Sequence, residues 1–486
     1  MHSRLPVINI LFKRNIAFDI ARRQLACEPL KRKKSTVEEP TGSTSTKTIG
    51  KRAHDEIKKY FTSIGNESIL KKIPPELLMR HEKHLERFYI STSQCAELVA
   101  KHVTAGLSPD MILAEINPGP GLLTRELVKC DVKKLLLIES EDCFESDLKR
   151  LMATHTRCDW NVLIAHFNGI CKYSYQNRGI KLEQLIAGGK ESPRKQMPDG
   201  VNLRLFSTVD SLKFFKSLIG SVISQTGLFS YVEWEMMLVI PPLLFEQLTC
   251  DRTAGYAMFR KHTVLFQIFF EYELLARIPR NHLLPWPPRS MKRKPYRTRK
   301  RYELEHADEW FLVRVVPRRN VSEFCPPEDW HAFEFFLSQS LASRANRIVP
   351  TMEQWIPFCG VRLIINRNYV PHQPISEAQT TNELQTFHRT STPLRKNDLP
   401  ERISIFTEFG ELTPSQMISL FNEFRNWPEY RQSQFLTMLE QHDRKGHSVN
   451  DGKSVTAAGD ASEVDVEQNA QPLKGRGKTE TPDVPQ

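Results

Sequence analysis

Residues 111–128, MILAEINPGPGLLTRELV, run from a short apolar stretch through a Gly/Pro turn into an amphipathic segment. Few structures accommodate that order: a buried strand, a tight turn and a helix folded back onto the strand. The pattern then recurs. KKLLLIES reads as a second strand with DCFESDLKRLMA as its helix, and NVLIAHF as a third strand; NLRLFST and SYVEWEMMLVIP follow, with FFKSLIGSVISQ a helix between them. Apolar runs of this length separated by helices make a parallel sheet covered on both faces, so the expected class is α/β, doubly wound. EWFLVRVVPRRN is expected as a last strand at a sheet edge, because Pro317 has no N–H for a ladder.

The turn itself, Glu115-Ile-Asn117-Pro-Gly119-Pro-Gly121, lies where a strand becomes a helix. Gly119 and Gly121 let the backbone approach a ligand closely, and a helix N-terminus offers free amides. A tight strand-to-helix turn would by itself explain the same glycines. Glu139 ends the second strand about twenty residues on, the place where an acid accepts hydrogen bonds from ribose hydroxyls. A dinucleotide needs a third glycine near the helix, and Thr124 stands there. A nucleoside ligand without phosphates, S-adenosylmethionine, fits better than NAD.

The flanks have a different character. In residues 1–36, Arg4, Lys13, Arg14, Arg22 and Arg23 alternate with Ile8, Leu11, Phe12, Ile16 and Ile20, while Asp19 and Glu28 are the only acids. This basic amphipathic pattern is that of a mitochondrial import presequence, with a nuclear signal at Lys31-Arg32-Lys33-Lys34 as the alternative. Residues 37–53 read as a linker. An α/β unit is expected over 54–320 with a basic loop at 287–302, a helical unit over 328–440 with a linker at 370–399, and a disordered tail over 443–486. No run is long and apolar enough for a membrane span. Nine scattered cysteines without a CxxC pair imply a reduced compartment and no metal site; Cys130, Cys158 and Cys171 are expected as small buried thiols.

EINPGPGLLTREL with LIESED resembles motifs one and two of the ribosomal RNA adenine dimethyltransferases. IPRNHLLPWPP, VRVVPRRNV and WHAFEFFLSQSLASRANRIV, in that order, narrow the likeness to the mitochondrial transcription factor B branch, the methyltransferase-like initiation factors of mitochondrial RNA polymerase. The resemblance spans about Phe88 to Phe424. It implies a Rossmann-like S-adenosylmethionine methyltransferase fold with a smaller all-α C-terminal domain. RFYIS matches the family's entry motif and puts Ile90 beside the methionine end of the cofactor; Glu139 would hold the ribose. His166 aligns with the family's Asp for the adenine amine, and a neutral imidazole is no charge-assisted acceptor.

The resemblance also implies a catalytic Asn-Leu-Pro-Tyr/Phe after the fourth strand, which holds the flipped adenine. Here LRLFSTVDS, Leu203 to Ser211, has neither the Asn nor the Pro, and Phe206 reads as strand core rather than a stacking residue. No catalytic residue is therefore assigned, and methyl transfer is expected to be weak or lost.

The net charge of +11 favours a polyanionic partner. Candidate phosphate contacts are Arg293, Lys294, Arg297, Arg299, Lys300 and Arg301, interleaved with Tyr296 and Tyr302, and Arg344 with Arg347 in SLASRANR. Arg318 and Arg319 read as guards of an edge strand. The expected protein is a monomer of the mitochondrial matrix and nucleoid that joins mitochondrial RNA polymerase at promoter DNA and traps the melted strand. The alternatives are an active dimethyltransferase of small-subunit rRNA, and a protein with both activities.

Overall fold

The computed structural model describes residues 54–78, 87–155, 157–167, 202–226, 233–252, 258–286, 303–365, 389–400 and 402–452, the last without side chains beyond 444. The presequence, the first linker, the basic loop and Cys171 lie outside the described residues. Helix α1 (Ser93–Thr104) starts where Thr92 accepts a hydrogen bond from the Cys95 amide. The strand and helix alternation follows as β1 (Ile112–Ile116), α2 (Leu122–Lys129), β2 (Lys134–Glu139), α3 (Glu145–Ala153) and β3 (Asp159–Ile164). It continues through β4 (Asn202–Thr208), α4 (Leu212–Ile223), β5 (Glu233–Ile240), α5 (Pro242–Thr249), α6 (Lys261–Phe269), β6 (Phe270–Pro279) and β7 (Glu309–Pro317).

The seven strands stand in the order β3-β2-β1-β4-β5-β7-β6. The first five pair in parallel, and β7 runs antiparallel to both β5 and β6. This is the Rossmann-like methyltransferase fold. Strand order reverses at β1, between β2 and β4, so the crevice at the carboxyl ends of these strands is where such a sheet holds ligands.

β7 is not the edge that Pro317 suggested. Pro317 pairs with Phe270, the first residue of β6, so the missing N–H falls at the end of the ladder. β6 lies outside β7 and is itself covered: the Leu274 amide donates to the Arg389 carbonyl at 2.7 Å, and the Ser391 amide to that of Tyr272 at 3.0 Å. The last part of the stretch read as a linker therefore adds main-chain bonds to the sheet. Arg318 is no exposed guard either. Its buried guanidinium donates to the carbonyls of Gln267, Phe270 and Thr392 and pairs with Glu271, stapling α6, β6 and the added segment. Arg319 is exposed and pairs with Glu233.

C-terminal to β7 the described residues are helical: α7 (Trp330–Ser340), α8 (Ile348–Trp355), α9 (Gly360–Ile365), α10 (Pro414–Arg425) and α11 (Gln434–Gly452). Thr413 and Gln416 close the α10 start reciprocally, with Pro414 at the first helical position. Helix α11 runs on to Gly452, inside the stretch expected to lack structure. Phe333, Phe336, Phe421 and Phe424 join the same apolar cluster as Phe266 and Phe270, so sheet and helices share one core. Cys158 is buried as expected, but Cys130 is exposed: it follows the last residue of α2, and Asp131 at φ 61° turns the chain outward. No helix of the described residues is long and apolar enough to cross a membrane.

Candidate functional site

The turn after β1 is shaped by positive backbone angles at Asn117 (φ 53°), Gly119 (φ 56°) and Gly121 (φ 74°). Only glycine takes this region freely. Each glycine also faces a neighbour of its own chain. A Cβ on Gly119 would overlap the ring of Tyr89, and one on Gly121 would stand 3.0 Å from Leu151 Cδ2. The close approach served by Gly119 is thus to the Tyr89 ring, not solely to a ligand.

Two carboxylates lie beneath this turn. Glu139, at the end of β2, accepts from the Gly119 amide at 2.7 Å and the Glu141 amide at 2.9 Å, with Tyr89 Oη and Ser140 Oγ at 3.4 Å. Glu115, in β1, accepts from Thr124 Oγ1 at 2.8 Å. Both are fully enclosed. Burial, opposed by the Thr124 hydrogen bond and reinforced by the neighbouring Glu139 charge, pushes Glu115 up to about 8. Burial raises Glu139 to about 7 against the pull of its hydrogen bonds. Thr124, which replaces the third glycine of a dinucleotide site, is therefore the partner of Glu115.

Linkage gives these carboxyls a measurable consequence. A folded-state value above the unfolded one means that the folded protein holds the proton more tightly, so stability is full at acid pH and falls as pH rises from about 4.5 through about 8. Glu115→Gln keeps an acceptor for Thr124 without the charge. Its urea midpoint is expected to lie closest to the parent's at about pH 4.5 and to exceed it increasingly up to pH 8.5; parallel pH profiles would contradict the buried-carboxyl reading.

The remaining candidates divide. Asn117 Oδ1 accepts from Ser140 Oγ at 3.0 Å, joining the turn to the loop after β2. Ile90 is buried in a two-residue strand, Tyr89–Ile90, paired antiparallel with Leu283–Leu284. Its neighbour Tyr89 makes the contacts with Gly119 and Glu139 and packs edge-on against Phe144 at 5.3 Å. Sequence reading pointed to Ile90 and missed Tyr89, although the aromatic in RFYIS was the available signal. Arg87 pairs with Glu141, so the same segment is fastened over the turn twice. His166, just past β3, is exposed. Phe206 is buried in β4, in register with Glu115, and is strand core.

Glu139, which the resemblance assigns to the ribose of S-adenosylmethionine, is enclosed here and its oxygens accept from the chain's own donors, so in this arrangement it does not fit the ribose. His166, which the resemblance assigns to the adenine amine, is no carboxylate.

Residues 79–362 match the family model described as ribosomal RNA adenine dimethylase. The chain belongs to the ribosomal RNA adenine dimethylase family. Relatives include "Dimethyladenosine transferase 2, mitochondrial" of Drosophila melanogaster, 34% identical over 78% of this chain and 84% of that protein. The Homo sapiens protein of the same name is 22% identical over 58% of this chain and 72% of its own. Among solved structures, a dimethyladenosine transferase from Plasmodium falciparum matches with a TM-score of 0.39 and 11% identity, over 70% of this chain and 98% of that one.

Within this dimethylase-family chain, the basic candidates at 293–301 lie outside the described residues. Arg344 sits under the loop before α10, its carbonyl accepting from the Gly410 amide at 3.0 Å and its Nη1 enclosed. Arg347 is exposed, with its guanidinium 5.1 Å from the centre of the Phe406 ring, also exposed. An accessible cation on an accessible aromatic face suits unpaired bases on a phosphate backbone.

Proposed function

We propose that this chain is a mitochondrial transcription initiation factor: imported to the matrix and nucleoid, it joins mitochondrial RNA polymerase at promoters and holds the melted DNA strand. The observation that carries the reading is the contrast within one site. The glycine turn and Glu139 are kept, whereas the position for the adenine amine is His166 and no Asn-Leu-Pro-aromatic follows β4, where Phe206 is buried. The names of the two relatives support a mitochondrial location. The net charge and the Arg347–Phe406 pair support a single-stranded nucleic-acid partner. Binding to the single strand lowers the free energy of the open promoter, and no bond is made or broken.

The second reading is an active dimethyltransferase of small-subunit ribosomal RNA, favoured by the family match and the kept glycine turn. Two assays on one preparation separate them. With labelled S-adenosylmethionine and the ribosomal RNA hairpin, methyl transfer is expected to stay near background. With the cognate polymerase, promoter-dependent run-off transcription is expected to require the protein and to drop several-fold in Arg344→Glu/Arg347→Glu. Robust methyl transfer together with polymerase activity that ignores the protein would reverse the assignment.

A further inference from the structure

On the helical side, His331 of α7 meets the adjacent pair His442 and Asp443 of α11. His331 Nε2 on α7 lies 2.7 Å from Asp443 Oδ1 on α11, and His442 Nδ1 lies 3.6 Å from the same oxygen. One ligand atom from each residue falls within 4.8 Å of the others. A single hydrogen bond explains the first contact. His442 adjoins Asp443 in the chain, so its 3.6 Å approach to that oxygen is local; what the chain does not impose is that His331, on another helix, meets both, with the two imidazole centres 6.4 Å apart.

The geometry points to a divalent transition-metal site built from His331, His442 and Asp443, with zinc as the ion that two imidazoles and a carboxylate suit. Tetrahedral ligands at roughly 2.0–2.1 Å from zinc stand a little over about 3 Å apart. Rotation of the exposed side chains on the order of 1 Å closes the set around an ion, and the rigid parts are already in place. His331 sits on the first turn of α7, whose Phe333 and Phe336 are buried in the core. His442 packs against Phe335 of the same helix, with ring centres 5.3 Å apart. Three protein ligands leave a fourth position for water or for an outside donor. Bound there, the ion would clamp α11 to α7 at the level of His442, before the helix continues to Gly452.

The test uses the full chain without an affinity tag, stripped with a chelator and titrated with cobalt(II), whose visible absorption reports tetrahedral coordination. One equivalent is expected to raise the band and zinc to abolish it. His442→Ala and the conservative Asp443→Asn are each expected to weaken binding at least tenfold, while His155→Ala, two residues past the end of α3, leaves it unchanged. The three target positions lie at the surface, and circular dichroism verifies that each variant folds. Absence of the band in the parent chain, or equal binding in the folded variants, overturns the site and leaves a plain His–Asp ion pair.

Discussion

Arg204→Ala is expected to lower the free energy of unfolding by about 3–5 kcal/mol, the cost of stranding one partner of a buried ion pair. Arg204, on β4, is buried and donates through Nε to Glu235 Oε1 at 2.6 Å. Its Nη1 reaches the carbonyls of Val103 and Ala105, at 2.7 and 2.8 Å, where α1 ends. One side chain therefore neutralises a carboxylate on β5 and satisfies the last carbonyls of a helix. After the substitution Glu235 retains only Arg314, at 2.9 Å and partly exposed. Urea unfolding with a shared slope measures the loss. Arg204→Met/Glu235→Gln together is expected to recover much of it, because no buried charge is then left alone. A loss under about 1 kcal/mol for Arg204→Ala would mean that water reaches the pair.

Phe336→Ala is expected to cost a comparable amount, about 3–5 kcal/mol, through the cavity it opens. The ring is fully buried at the meeting point of the C-terminal helices. Its centroid lies 5.6 Å from Trp355 on α8, 5.5 Å from Phe421 on α10 and 6.4 Å from Phe435 on α11. Phe409, at 5.9 Å, brings in the loop before α10. Truncation leaves these aromatic edges without a partner, and rings of this size relax poorly into a gap. Phe336→Leu fills most of the space and is expected to lose well under half as much. Near-equal losses for the two substitutions would place the cost elsewhere than in the cavity.

The strands of the sheet were legible because parallel strands buried on both faces leave apolar runs; LLLI and MMLVI are unbroken, and ILAEI is broken only by Glu115. What the sequence concealed is long-range. Nothing near Pro317 says that β6, thirty-odd residues earlier, will lie outside β7, or that Arg389 and Ser391 will bond to it in turn. At the site, Glu139 and the glycines were found from spacing, whereas the part played by Tyr89 depends on a contact between segments far apart in the chain. Spacing rules failed for the same reason at His331 and His442, which belong to different helices.

The packing of Gly119 on Tyr89 and of Gly121 on Leu148 and Leu151 bears on how such chains change over generations. Purifying selection acting on foldability alone would preserve both glycines after methyl donation had ceased to matter, since both hold positive φ and a Cβ at Gly119 would overlap the Tyr89 ring. Residues whose only service is to grip the adenine, by contrast, drift once that service ends. On the proposed reading, the identities at position 166 and after β4 sort active members of the family from repurposed ones, and the glycine motif is a marker of descent.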